Sequence, residues 1–199
     1  MTTLELKSAK WLSALVLLTS GAAAQAVPTL GFDLDTLSVQ VGDSFVLLLQ
    51  GTGFDSTADG LAIDNLSGGQ KLNLSFPAAA LQLESVVIDP RWSFAAANKT
   101  GVIDNAAGTL TGLAFGTFPA TADDSFDIAR ISFTALDAGA ATVAISAAQL
   151  IGRVNNLAGT TIAASTLPSA VQVSAVPEPQ AWAMLAAGLG WLALRSRRA

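Results

Sequence analysis

The sequence predicts an all-β fold, an antiparallel β-sandwich. Apolar residues in the middle of the chain recur with a period of two. Leu37, Val39 and Val41 oppose Ser38, Gln40 and Gly42, and Leu72, Leu74 and Phe76 oppose Lys71, Asn73 and Ser75. That alternation belongs to strands with one buried face. Turn-forming clusters punctuate it at Gly51-Thr52-Gly53, Ser67-Gly68-Gly69, Asp104-Asn105 and Asp137-Ala138-Gly139, where Gly, Asn and Asp supply the backbone angles that turns require. No stretch between them holds a long 3.6-residue period, so helices do not compete.

Taken in order, the first strand covers Leu37 to Val41, and Gly42-Asp43 turns the chain into Phe45-Val46-Leu47-Leu48-Leu49. A continuous apolar run of this kind suits a strand covered on both faces. The Leu72–Phe76 strand is followed by Pro77-Ala78-Ala79-Ala80, read as a short helical turn, and then by Leu81, Leu83 and Val86-Val87-Ile88. Further strands are expected at residues 109–117, 126–136, 141–146 and 170–174. About seven to nine short strands with regular turns argue for two packed sheets.

Both ends of the chain read as addresses rather than as fold. Lys7 and Lys10 precede an apolar stretch at residues 11–18, interrupted only by Ser13. Gly21-Ala22-Ala23-Ala24-Gln25-Ala26 then supplies the small-residue pattern of a signal-peptidase site, Ala24-Gln25-Ala26. Cleavage is expected after Ala26, with Ala24 the second choice, making residues 1–26 a signal peptide. At the other end, Val176-Pro177-Glu178-Pro179 leads into residues 181–194, all apolar or glycine, and then into Arg195, Arg197 and Arg198. As a helix the apolar segment covers about 21 Å, against a bilayer core of about 30 Å. It spans if the arginines snorkel and the bilayer thins, and the positive-inside rule then holds the C-terminus in the cytoplasm.

A proline-bracketed acid, one apolar span opening with Trp182 and an arginine-rich tail resemble the PEP-CTERM sorting signal, over residues 176–199. The resemblance implies recognition of Pro177, Glu178 and Pro179 by a membrane-embedded exosortase. Residues 181–194 would be a transient inner-membrane anchor, and Arg195, Arg197 and Arg198 the stop-transfer charge. It also implies an exopolysaccharide-building bacterium and a final place at the cell surface or in the extracellular matrix.

Residues 27–175 remain, a length suited to one domain. Thirteen of the fifteen acids lie there against Lys71, Arg91, Lys99, Arg130 and Arg153, a net charge of −8. Such a surface repels phosphate backbones, which argues against a nucleic-acid partner. The chain has no cysteine and no histidine, so disulfides, most transition-metal sites and Ser-His-Asp or Cys-His triads are excluded.

The order of segments in this domain resembles a cohesin-like or related carbohydrate-binding β-sandwich of jelly-roll type. The residues that carry the likeness are Leu37-Ser-Val-Gln-Val-Gly-Asp43, Leu72-Asn-Leu-Ser-Phe-Pro77, Leu81-Gln-Leu-Glu-Ser-Val86, Gly101-Val-Ile-Asp104, Ile128-Ala-Arg-Ile-Ser-Phe133 and Thr142-Val-Ala-Ile145. It covers residues 34–146, extending toward 174. The Tyr/Phe-Asp-Pro corner typical of cohesins is here Ser75-Phe76-Pro77, without the Asp.

Few residues in the domain suggest chemistry. Asp33 and Asp35, and Asp123, Asp124 and Asp127, are the densest carboxylates and would supply some of calcium's oxygen ligands. Neither group matches the EF-hand pattern, and solvated turn aspartates are the plainer reading. No spacing singles out a carboxylate pair for glycoside hydrolysis. Trp92, beside Asp89 and Arg91, offers a ring for glycan stacking; the plainer reading, and the favoured one, is that it closes one end of the sandwich with Phe94. The expected function is therefore a non-enzymatic, exported surface or matrix protein, structural or adhesive within exopolysaccharide or biofilm. A carbohydrate-binding module is the alternative and a glycoside hydrolase the third choice.

Overall fold

Burial alternates along most of the longer strands of this chain. The structure, a computed structural model, describes residues 28–54, 63–121, 124–154 and 157–176, and helical positions 184–189, 191 and 195 near the C-terminus. In chain order the strands are β1 (Thr29–Phe32), β2 (Thr36–Gln40), β3 (Ser44–Thr52), β4 (Ile63–Ser75), β5 (Leu81–Ile88) and β6 (Val102–Asp104). They continue as β7 (Thr109–Thr121), β8 (Phe126–Ala135), β9 (Gly139–Val154), β10 (Leu157–Ile162), β11 (Ser165–Thr166) and β12 (Ser169–Ser174). One sheet has five strands in the order β11-β1-β3-β8-β5, and the other seven, β2-β12-β9-β4-β7-β6 with β10 paired to β9.

The two sheets enclose one core. β1, β3, β5 and β8 contribute Leu30, Leu47, Leu49, Leu81, Leu83, Ile131 and Phe133, and the facing sheet contributes Leu72, Leu74, Leu110, Leu113, Phe115, Val143 and Val171. Aromatic contacts pin the layers together in two places. Phe133 stacks on Phe45 at 5.6 Å and meets Phe76 edge-on at 5.4 Å. Trp92 meets Phe115 at 4.5 Å and Phe126 at 5.4 Å, and Phe126 lies 5.0 Å from Phe54. Ser169 is the one fully buried polar side chain among the described residues, and its hydroxyl donates to the Leu34 carbonyl at 2.6 Å.

The all-β sandwich expected from the alternation is present, with differences that have physical causes. β3 is buried on one face only: Phe45, Leu47 and Leu49 point inward, while Val46 is exposed and Leu48 half-buried. Nothing among the described residues covers the outer side of this sheet. Ser67-Gly68-Gly69 is no turn but the middle of β4. A Cβ on Gly68 would overlap the Phe115 carbonyl oxygen, and one on Gly69 would lie 2.6 Å from Phe115 Cε1. These glycines admit a neighbouring strand and its ring. The sandwich is also not wholly antiparallel, because β1 pairs parallel with β11 and β2 with β12. Strands outnumber the expectation because β1, β6 and β11 carry too few residues to show a period, and β10 (Leu-Ala-Gly-Thr-Thr-Ile) has no two-residue apolar alternation. The turn at residues 78–80 forms as expected, with the N–H groups of Ala80 and Leu81 both donating to Pro77 O.

The signal peptide with Ala24 and Ala26, the motif Pro177, Glu178 and Pro179, and Arg197 and Arg198 lie outside the described residues, as does half of the 181–194 span. Arg195 occupies an exposed helical position. Among the described residues no helix is long and apolar enough to cross a membrane.

Candidate functional site

Two surfaces stand out, one on each sheet. The first is the outer side of β3, β8 and β5. Their register places Leu48, Arg130 and Val87 in one row across the three strands, then Val46, Ser132 and Ser85, then Ser44, Thr134 and Gln82. Val46 is 44% and Val87 57% exposed, and Arg130 is exposed between β3 and β5. Two bulges keep this lattice in phase. β5 carries an extra residue between Leu83 and Ser85, and β8 one between Ala129 and Asp127. They let Val86 and both Ile128 and Ala129 turn inward while Val87 and Arg130 stay outside. The result is a nearly flat apolar-and-cationic patch edged by hydroxyl groups.

The second surface is a groove of about 570 Å³ on the seven-stranded sheet. β4 and β7 form its floor with Ser67, Gly68, Gly69, Ala114, Phe115 and Gly116, and the loop between β5 and β6 forms its wall with Phe94, Ala97 and Lys99. That wall is fixed by backbone bonds to β7. Phe94 N–H donates to Gly116 O at 3.0 Å, and Lys99 and Ala114 exchange bonds of 2.8 and 2.9 Å. Asn98 binds both sides, donating to Trp92 O at 2.5 Å and accepting from Gly116 N–H at 2.9 Å. Opposite, β4 bulges at Lys71, the one non-glycine residue with positive φ among the described residues (54°). A reciprocal bulge on β7 places Gly112 at φ 75°, its N–H bound by Asn73 Oδ1 at 2.8 Å.

The residues singled out from sequence are placed differently. Trp92 is 1% exposed, and its indole N–H donates to Asp127 O at 2.9 Å. Its faces are covered by Phe115 and Phe126, so it has none to give a sugar, and the glycan-contact reading is corrected to a core role. The aromatic that reaches the surface is Phe94, 53% exposed, rather than a partner of Trp92 in closing the core. Asp33 accepts from Leu48 N–H at 2.9 Å, Asp127 from Gln50 Nε2 at 2.7 Å, and the Asp35 and Asp124 carbonyls receive Ala170 N–H at 2.8 Å and Phe54 N–H at 3.1 Å. These acids tie β1, β3 and the chain crossings together. Asp123 lies outside the described residues. Among the described residues no group of three or more His, Cys, Asp or Glu is placed to hold a metal ion.

Sequence reasoning missed Val46, Val87, Arg130, Phe94, Lys71 and Lys99. The two valines sit inside apolar runs, where only the sheet register tells inside from outside. Phe94 follows a buried tryptophan and carries no signal of its own.

No family model matches the chain, and no curated protein does. Solved structures do match in shape. A type I cohesin from Pseudobacteroides cellulosolvens superposes with a TM-score of 0.60 at 15% identity, over 77% of this chain and 96% of its own. The cohesin of a type I cohesin–dockerin complex from Clostridium thermocellum gives 0.59 at 10% identity, over 75% and 95%. A non-cellulosomal cohesin from the archaeon Archaeoglobus fulgidus gives 0.56 at 11% identity, over 80% and 98%. The domain is thus a cohesin-like β-sandwich.

Proposed function

We propose that this chain is a non-catalytic protein-binding module, exported and sorted to the cell surface or extracellular matrix. The observation that carries the reading is the open outer side of β3, β8 and β5, where Val87 stands beside Arg130 in one row and Val46 beside Ser132 in the next, on an in-register lattice. Exposed apolar groups around one arginine, rimmed by hydroxyls, have the chemistry of a protein interface core. Solved cohesins of the same shape were crystallised with dockerin partners, which supports a protein as occupant.

Export and sorting rest on the two ends of the sequence. Ala24 and Ala26 would mark signal cleavage, Pro177-Glu178-Pro179 would be read by an exosortase-type enzyme, and Arg195, Arg197 and Arg198 would hold the segment at the inner membrane until processing. A structural or adhesive task in an exopolysaccharide matrix follows from that address.

Val46→Asp combined with Val87→Asp tests the binding face. Wild-type chain should retain a discrete protein from the producing cell's envelope extract and the double variant should lose it, with melting temperature unchanged. Equal retention by both removes the face from the proposal. Glu178→Ala and deletion of residues 195–199 test the address: export, processing and final location unchanged by both would refute it.

A further inference from the structure

We propose that the groove on the seven-stranded sheet is a second binding site, for a carboxylated sugar unit of an acidic polysaccharide. It lies on the sheet opposite the face assigned to a protein partner and does not depend on that assignment.

The charge distribution is the first argument. The domain carries thirteen acids against five cations, yet the described residues lining the groove include Lys71 and Lys99 and no acid. Neither lysine forms an ion pair with another described residue. A concave, cationic spot on an otherwise anionic domain selects an anion and weakens as salt rises.

Shape is the second argument. A groove of about 570 Å³ falls within the range of small-ligand sites, about 300–1,000 Å³. Its floor is mostly glycine and alanine, so a ring can approach the backbone, and half-exposed Phe94 stands at its wall. A flat aromatic against the apolar face of a pyranose, with ammonium groups within the same hollow, suits a hexuronate better than a phosphate, which needs no ring.

Preorganisation is the third. Phe94 and Lys99 are held by the backbone bonds to Gly116 and Ala114, and the loop is anchored beneath by Trp92. Lys71 is fixed in a left-handed conformation that costs a non-glycine residue on the order of 1 kcal/mol or more. Its side chain is exposed at the groove. An extended acidic peptide is the competing occupant, but β7 has no free edge here. β4 occupies one side of it, and β6, Lys99 and Phe94 the other. A peptide would lack the main-chain pairing by which strands are added to a sheet.

The test uses the full chain in mild detergent and calorimetric titration with oligomers of galacturonate, of glucuronate and of mannuronate. Carboxyl-reduced counterparts and poly-L-glutamate serve as controls. At least one uronate oligomer should bind saturably, and at least tenfold more tightly than its reduced form. Lys71→Asn with Lys99→Gln, and separately Phe94→Ala, should each weaken that binding at least tenfold at unchanged melting temperature. Lys71→Asn is chosen because asparagine tolerates the left-handed conformation. Val46→Asp with Val87→Asp should leave it intact. The proposal is overturned if no uronate oligomer binds, if either groove variant binds as wild type does, or if polyglutamate binds as tightly and ignores Phe94→Ala.

Discussion

The two sheets of this sandwich build their outer surfaces by opposite means. On the five-stranded sheet the ladders run close to regular, and single-residue bulges on β5 and β8 serve to keep the in–out alternation in phase. Its surface is therefore a lattice of side chains at strand spacing. On the seven-stranded sheet, β4 shifts register against both neighbours, and the reciprocal bulge on β7 brings Gly112 opposite. Glycines at 68, 69 and 116 then let backbone and the Phe94 loop close in, and the surface becomes concave. Regular pairing makes a flat face whose chemistry is its side chains. Broken pairing makes a hollow whose chemistry is held by loops.

The joint between the two sheets should show the largest effect. Trp92 bridges them, touching Phe115 of β7 and Phe126 of β8 and donating to the Asp127 carbonyl. Trp92→Ala should cost about 3–5 kcal/mol by urea denaturation, the usual range for emptying a buried aromatic site. A surface ring would cost about 0.5 kcal/mol or less, so a loss that small would overturn the core placement.

Next in size is the close approach beneath the groove. Gly68→Ala puts a methyl group into the Phe115 carbonyl, and backbone cannot rotate away as a side chain does. A loss of about 3 kcal/mol is expected, the upper part of the overpacking range. Gly112 lies in the same hollow with nothing within 4 Å of a would-be Cβ and φ at 75°. There Gly112→Asn should cost about 1 kcal/mol or less, because asparagine visits the left-handed region. Similar losses at the two glycines would mean that conformation, and not contact, governs both.

That contrast also explains how much of the molecule was legible beforehand. Leu37 to Val41, Leu72 to Phe76 and Leu81 to Leu83 alternate cleanly, and β2, the end of β4 and the start of β5 follow them. The sandwich and its cohesin-like order were readable from such stretches. The start of β4 was not, since Ser67-Gly68-Gly69 has turn composition, and it is Phe115, distant in sequence, whose carbonyl at Gly68 and ring at Gly69 make glycine necessary inside a strand. The groove was equally hidden: Lys71, Phe94 and Lys99 share it because two bulges and a loop converge. Trp92 was legible as a core residue despite its charged neighbours Asp89 and Arg91, whereas Phe94, expected beside it in the core, turned outward.

The flat face should give the smallest effect on stability, and that smallness is the informative result. Val46 and Val87 look like core residues in sequence, each within an apolar run, yet they stand 44% and 57% exposed, Val87 beside Arg130 and Val46 beside Ser132 in the next row. Val46→Ser and Val87→Ser, singly, should change stability by no more than about 0.5 kcal/mol, as for other surface positions away from special geometry. Serine lowers strand preference slightly, and the exposed part of each valine makes no contact for it to lose. A cost above about 1.5 kcal/mol at either site would mean that the face is covered in the folded chain and is no free surface. Near-neutral substitutions would leave two exposed valines without a folding role, which is the condition a binding surface must meet.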